Sequence, residues 1–211
     1  MTKTTELMAV NEVLKAIGEI PINSLAVATN SDAAIALDTL RSVKTEVEQK
    51  GWWFNSRYNV AYAASAGRIA IPSNVISVRP SSGGYTATGE NRNVVERDGY
   101  LYDIANNTDV FSGSVSLDII ETTDFELLPE PARRYITIRA ARITHQQILG
   151  DGAIAVFTEI HELEAFRSME AEHARNTPGG GIFMMRHKLR TAALIQDPVT
   201  SGGNQQQQRN R

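Results

Sequence analysis

Apolar side chains recur every three or four positions in two stretches near the start of the chain. In residues 6–17 the recurring positions are Leu7, Val10, Leu14 and Ile17. In residues 32–50 they are Ala36, Leu40, Val43 and Val47, while Arg41, Lys44, Glu46 and Glu48 lie off the stripe. This spacing predicts two amphipathic helices, the first capped by Thr4 or Thr5 and the second ended by Gly51. A single apolar stripe on each helix indicates a small helical bundle.

The apolar pattern changes to an alternation with polar residues after Gly51. The alternating positions are Tyr58, Val60 and Tyr62, and later Val115, Leu117 and Ile119. Residues 94–102 add two short apolar runs joined by Asp98 and Gly99, a pair that favours a two-residue hairpin turn. A period of two residues predicts strands, so residues 52–124 are predicted to form an antiparallel β domain.

Helical spacing returns after this β region. A third helix is predicted to begin near Pro129, because proline suits a first helical turn, and to end at Gly150. Its stripe consists of Ile136, Ala140, Ile143 and Gln147. A fourth helix is predicted over residues 153–175, with inward positions Val156, Ile160, Leu163, Phe166 and Ala174.

The order of these elements predicts an α+β fold. Two helices before the β region and two after it indicate an antiparallel four-helix bundle, built from residues 1–51 and 125–178. The β domain of residues 52–124 is then an insertion between the two halves of the bundle. Residues 179–211 contain Gln205–Gln208 and several basic residues, which is typical of an extended C-terminal tail.

Composition and charge narrow the class of protein. The chain has 211 residues, enough for one well-packed domain or two small ones, and a formal net charge of −3. The slight acidity provides no positive field that would draw the whole protein to nucleic acid or to anionic lipid. There is no cysteine, which excludes disulfides and thiol nucleophiles. The N-terminus has no apolar core of signal-peptide length, so we expect a soluble protein made in a bacterial-type cytoplasm.

Candidate chemistry is sparse along the chain. The histidines, His145, His161, His173 and His187, lack the spacing of metal ligands, and no phosphate-binding glycine motif follows a strand. We therefore expect no metal or cofactor. Two groups of carboxylates could in principle serve a polysaccharide hydrolase: Glu121, Asp124 and Glu126, and then Glu159, Glu162 and Glu164. We interpret the first group as loop and helix-start residues and the second as a solvated helix face.

Two further clusters are open to more than one interpretation. Arginines concentrate on the third helix at positions 133, 134, 139 and 142, where they can pair with glutamates of the fourth helix, with a partner subunit or with phosphate. The aromatic run of Trp52, Trp53 and Phe54 is interpreted as core at the junction of helices and sheet. The alternative for this run is a contact between subunits.

Several short segments form a recognisable series when they are taken in order. They are residues 9–19, Pro21, Ser24, Leu25, Gly51, Trp52, Phe54, Asn55, and then residues 99–103, 128–130, 134–136, 140–142, Leu149 and Gly150. Together these segments resemble the tail tubular protein A family, the head-to-tail adaptors or gatekeeper ring proteins of short-tailed, podovirus-type phages. The resemblance covers residues of about 5–175 and leaves out the C-terminal tail.

The resemblance implies a non-enzymatic virion protein that forms a dodecameric ring between the portal of the capsid and the tail nozzle. Genomic DNA would pass through the lumen of this ring without sequence-specific binding, and no membrane would be involved. The tail adds a candidate partner-binding segment, in which an apolar patch precedes basic residues. Its residues are Ile182, Phe183, Met184, Met185, Arg186, Lys188 and Arg190. A virion-associated hydrolase and a DNA-contacting module remain the alternatives.

Overall fold

The computed structural model describes residues 3–27, 31–81, 93–150 and 157–177. The chain divides into two compact units, Met1–His173 and Ala174–Arg211. The described part of the second unit is residues 174–177, where the last helix ends. The predicted tail therefore lies outside the described residues.

The described residues form a mixed α+β fold with helices at both ends of the order and strands between them. The helices are α1 (Glu6–Ala16), α2 (Ser31–Glu48), α3 (Glu130–Leu149) and α4 (Glu159–Asn176). The strands are β1 (Ser56–Ala63), β2 (Val75–Pro80), β3 (Val94–Arg97), β4 (Tyr100–Asp103) and β5 (Ser114–Glu121). Short 3₁₀ turns, Leu25–Val27 and Phe125–Leu127, precede α2 and α3. The predicted α+β class is confirmed.

Helices α1 and α2 follow the sequence pattern closely. The Thr5 hydroxyl caps α1 by accepting a hydrogen bond from the backbone N–H of Met8, at 3.2 Å. All four predicted stripe residues of α2 are buried, as are Val10 and Leu14 of α1. Glu48 contradicts the prediction, because it is completely buried although its position in the pattern placed it off the stripe.

The strands form two antiparallel sheets. The larger sheet has the order β1–β5–β2, and β3 pairs with β4 as the predicted hairpin. At its turn Asp98 and Gly99 have φ values of 54° and 79°, the left-handed conformation at both central positions that a type I′ turn requires. The predicted inward positions of β5, including Leu117 and Ile119, are buried. The alternation of apolar residues thus identified the central strand correctly.

Two separate apolar cores hold these elements. The helical core contains residues from all four helices, such as Val10, Leu40, Ile136 and Met169. The sheet core is centred on Leu117 of β5 and includes residues from β2 to β5 and from the loops beside them. We refer to the elements around these cores as the helical part and the sheet part. In the described part of the chain, no helix has the length and apolarity needed to cross a membrane.

The prediction for α4 was wrong in its start and its inward face. The helix begins at Glu159, and residues 151–156 lie outside the described residues. Ile160 and Leu163, predicted to face inward, are 67% and 47% exposed, whereas Ala165 and Met169 are buried. The physical reason is that α4 meets α3 partly through ion pairs, so its apolar residues are not all turned toward the core.

Helix α3 also buries a wider face than its predicted stripe. Ile136 and Ala140 are buried as expected, but Gln147 is exposed, and Thr144 and His145 are buried instead. Contacts with both α1 and α2 explain the width, since a helix with neighbours on two sides needs more than one apolar stripe.

Candidate functional site

The residues predicted from sequence to bind a partner, Ile182, Phe183, Met184, Met185, Arg186, Lys188 and Arg190, all lie outside the described residues. The geometry of the described chain therefore concerns the other candidates. These are the arginines and carboxylates of α3 and α4, the histidines, the aromatic run after α2 and the exposed apolar residues.

A network of ion pairs joins α2, α3 and α4. Arg139 donates hydrogen bonds to Glu162 of α4 at 2.8 Å and to Glu46 of α2 at 2.9 Å. Arg142 donates to the second oxygen of Glu162 at 2.6 Å and approaches Glu159 at 3.4 Å. Of the alternatives left open for the four arginines of the third helix, pairing with the fourth helix holds for Arg139 and Arg142. Arg134 pairs with Glu12 of α1 instead. These ion pairs form within one chain. The positive charges of Arg139 and Arg142 are therefore paired with carboxylates rather than left available to a nucleic acid.

Glu162 is held in its ionised form by this network. Partial burial acts to raise the pKa of its carboxyl, but hydrogen bonds from Arg139 and Arg142 outweigh this effect and leave the pKa below the ordinary value. A cleft of about 370 Å³ lies beside it, lined also by Glu159 and Leu163. A hydrolytic pair needs one carboxyl that stays protonated, and a lowered pKa is the wrong direction for that role.

The carboxylates before α3 have structural contacts. Glu121 forms an ion pair with Arg57 at 3.4 Å, and the Glu126 carboxylate accepts a hydrogen bond from the backbone N–H of Glu6 at 3.1 Å. Asp124 is the residue just before the 3₁₀ turn, and its side chain makes no capping hydrogen bond. Within the described ranges, no three His, Asp, Glu or Cys side chains lie close enough together to hold a metal ion.

The histidines occupy separate places in the fold. His145 is buried in α3, His161 lies beside Thr158 at the start of α4, and His187 is outside the described residues. His173 lies against Trp52, with ring centroids 5.3 Å apart, and its Nδ1 accepts the backbone N–H of Trp53 at 3.2 Å. Burial lowers the pKa of His173, partly opposed by Glu170. The ring is thereby kept neutral as an acceptor.

Arg133 is a buried residue whose role the sequence pattern did not reveal. Its side chain is 2% exposed, and its guanidinium donates to the backbone carbonyls of Leu128 and Thr4 at 2.7 Å and of Glu126 at 2.8 Å. These bonds join the N-terminal segment, the turn before α3 and α3 itself. Its neighbour Arg134 is half exposed and pairs with Glu12. Nothing in the spacing of the arginines distinguished the buried one.

The aromatic run after α2 forms part of the helical core, as interpreted from the sequence. Trp52 is 5% exposed, and its Nε1 donates to the carbonyl of Val47 at 2.8 Å. Trp53 and Phe54 are partly buried against the same core. Trp52 also meets Phe166 of α4 edge to face, with ring centroids 6.1 Å apart. The run therefore connects α4 to the start of the sheet part.

Exposed apolar side chains mark surfaces available for contact with other proteins. Ile160 and Leu163 are one helical turn apart on α4 and share a face with the exposed Glu164 and Arg167. Further exposed apolar residues on the described surface include Ile20, Tyr58, Val110 and Leu127. Apolar residues grouped on a surface are typical of protein-contact sites, whereas isolated ones are common on any protein.

Comparison with known protein families matches residues 7–178 to the family described as Tail tubular protein. The chain belongs to this family. It is also 31% identical over 173 residues to Tail tubular protein A of Klebsiella phage KP34, a match that covers 81% of this chain and 88% of that protein. The resemblance found in the sequence segments is confirmed. As a tail tubular protein, the chain is a structural component of the phage tail and belongs to the virion.

Proposed function

We propose that this tail tubular protein is a head-to-tail adaptor, a non-enzymatic component of a ring between the portal of the capsid and the tail nozzle. The ring is a dodecamer of identical copies around the channel through which DNA leaves. The observation that carries the proposal is the family match, which runs from α1 to the end of α4. In a closed ring, one face of each copy meets a different face of the next.

The internal ion pairs support a structural role. The two oxygens of Glu162 accept hydrogen bonds from Arg139 and Arg142, so this carboxylate is not available to protonate a leaving group. Glu121 is paired with Arg57. These contacts favour the adaptor over the alternative of a polysaccharide hydrolase.

The proposed architecture is an antiparallel four-helix bundle, from residues 1–51 and 125–178, with an inserted antiparallel β domain at residues 52–124. The two separate apolar cores support this division, since each part buries its own apolar residues. Residues 179–211 form the extended tail of the proposal. A bundle with an inserted domain has several distinct outer surfaces. These can contact neighbouring copies in the ring, the portal on one side and the nozzle on the other.

We further propose that the tail binds the portal or an adjacent copy through Ile182, Phe183, Met184, Met185, Arg186, Lys188 and Arg190. When such a segment meets an acidic surface, its apolar residues can become buried and its basic residues can form ion pairs. Truncation after Pro178 is expected to abolish portal attachment while the melting temperature stays close to that of the full chain. Replacing Gln205–Gln208 with serines is the matched control. Full portal attachment by the truncated chain would contradict the tail proposal.

DNA is proposed to pass the ring without sequence-specific binding. Each arginine–phosphate contact adds affinity, so a conduit works best when its arginines are paired with carboxylates. Arg134, Arg139 and Arg142 are paired in this way, and the net charge of the chain is −3. The chain is proposed to be made in the cytoplasm of the bacterial host and to assemble there without a membrane.

The test of the adaptor proposal is the mass of the full chain in solution, with and without purified portal protein. The expected result is a monomer or a closed ring alone, and a single complex of defined mass with the portal. The control partner is an unrelated ring protein of similar size. A chain that stays monomeric with the portal at concentrations well above those of the virion assembly reaction would contradict the proposal.

A further inference from the structure

Two stretches of chain connect the helical part to the sheet part, one after α2 and one before α3. The first follows Glu48 and reaches β1 through Trp52 and Asn55. The second leaves β5 at Glu121 and continues through Thr122 and Thr123 toward α3. Both stretches meet at the C-terminal end of α2. The contacts at this point therefore determine how the sheet part is held against the helical part.

The Glu48 side chain lies at this point and has no exposed surface. Its Oε2 accepts hydrogen bonds from Lys44 Nζ and from the Thr122 hydroxyl, each at 2.9 Å. Its Oε1 accepts the backbone N–H of Thr123 at 3.0 Å. Lys44 Nζ also donates to the Thr122 oxygen at 3.1 Å, which closes a three-membered network. The carboxylate thus binds the outgoing connection at two consecutive residues.

The incoming connection is bound at the same place. The Asn55 side-chain amide, in a residue only 3% exposed, donates to the backbone carbonyl of Glu48 at 2.9 Å and to that of Glu121 at 3.1 Å. Its oxygen accepts the backbone N–H of Trp52 at 2.7 Å. One residue of α2 is therefore joined to both connections, through its side chain on one side and its carbonyl on the other.

We propose that Glu48 is a positioning residue that locks the sheet part in one orientation relative to the helical part. A buried carboxylate is costly unless it is paired and hydrogen-bonded, and here the donors come from both α2 and the outgoing connection. The arrangement is satisfied only while Thr122 and Thr123 remain beside α2. The inference rests on the contacts at this junction and does not depend on the ring.

A purely apolar junction would not provide this function. Apolar contacts are non-directional, whereas the two hydrogen bonds that the carboxylate accepts from Thr122 and Thr123 fix both distance and angle. The apolar contact nearby is between Ile120 and the backbone at Gly51, where an added Cβ would lie 2.9 Å from the isoleucine Cδ1. That close packing sets how near the two parts come, and Glu48 sets their relative direction.

The test measures distances between the two parts in the full chain. Because the sequence has no cysteine, pairs of introduced cysteines accept spin labels at chosen positions only. One pair, Lys15→Cys with Tyr58→Cys, reports the distance from α1 to β1, and both side chains are exposed. A second pair, Lys15→Cys with Ser42→Cys, lies wholly within the helices and serves as the internal reference. Pulsed electron spin resonance gives the distribution of each distance.

Glu48→Gln places an amide donor against the Lys44 ammonium, and Thr122→Val removes the hydroxyl from an exposed residue that is not needed for the core. Both are expected to abolish the single narrow distribution of the α1–β1 pair and leave the reference pair unchanged. Thr122→Ser keeps a hydroxyl and is expected to show the narrow α1–β1 distribution again. Glu46→Gln, the control on the same helix as Glu48, is expected to leave that distribution narrow. The Thr123 amide should exchange roughly tenfold faster in Glu48→Gln.

A junction that is merely stabilised by Glu48 gives a different result. The melting temperature would then fall in Glu48→Gln, while the α1–β1 distances would stay as narrow as in the unaltered chain, and this outcome overturns the proposal. If Glu48→Gln does not fold, Thr122→Val carries the test alone. Unchanged distances in Thr122→Val would then overturn the proposal equally.

Discussion

Replacing the buried Arg133 with methionine is the perturbation whose effect the structure defines best. Methionine fills the space of the aliphatic part of the arginine side chain, but it is shorter and donates no hydrogen bond. The substitution therefore leaves three backbone carbonyls, those of Thr4, Glu126 and Leu128, without their present donor. The N-terminal segment and the turn before α3 lose their common attachment to α3.

The expected loss follows from the number and kind of these bonds. Hydrogen bonds to a charged group contribute roughly 1.5–3 kcal/mol each, but water can reach the partly buried carbonyls of Thr4 and Glu126, and the cost of burying the guanidinium disappears. We therefore expect a net loss of about 3 kcal/mol in the free energy of unfolding. For a chain of this size that corresponds to a melting temperature lower by roughly 6–12 °C.

Urea unfolding at neutral pH, followed by circular dichroism, measures the loss directly. Arg134→Met is the matched control, because Arg134 is the adjacent residue, is half exposed, pairs with Glu12 and lies over the Phe157 ring at 5.4 Å. Its expected loss is about 0.5 kcal/mol. Arg133→Lys keeps the charge, but the lysine ammonium cannot reach all three carbonyls. Its loss of unfolding free energy should therefore be similar to that of Arg133→Met. An Arg133→Met chain as stable as the Arg134→Met control would refute the reasoning.

Three further substitutions test other contacts. Glu162→Gln removes a carboxylate whose pKa is lowered in the folded chain. The stability that this carboxylate contributes is present above its unfolded pKa and is lost as the pH falls through its folded pKa. The urea midpoints of the Glu162→Gln and unaltered chains should therefore converge at acid pH, and a difference in midpoint that does not change with pH would contradict this. Burial lowers the pKa of His173, so stability should decline as pH falls below about 6.5, the unfolded value. His173→Gln, which can still accept the Trp53 N–H, should flatten that decline, and an equally steep one would oppose the assignment. Gly51→Ala adds a Cβ 2.9 Å from Ile120 at a φ of +72°, whereas Gly18→Ala meets nothing within 4 Å at a φ of +84°. The first should cost about 1 kcal/mol more than the second in thermal unfolding, and equal losses would exclude a steric effect.

The sequence predicted the elements whose burial follows a simple period. The stripe of α2 and the alternation in β5 each place one face against a core, so counting apolar positions identified both. The Asp98–Gly99 turn was predictable because its backbone conformation strongly favours those two residue types. The short turns at Leu25–Val27 and Phe125–Leu127 have no period and were not predicted.

Polar residues in the interior were the main failure of the pattern. Glu48 and Arg133 are buried because donors or carbonyls far along the chain reach them, and no local spacing reveals such partners. The face of α4 was assigned wrongly for a related reason. Ion pairs from Arg139 and Arg142 take up part of its contact with α3, so Ile160 was free to face outward.

Electron microscopy of the full chain mixed with purified portal protein tests the proposed ring most directly. The account predicts closed rings of twelve-fold symmetry, stacked coaxially on the portal, with an open lumen wide enough for duplex DNA. Portal particles without an added layer, at saturating concentrations of folded chain, would contradict it.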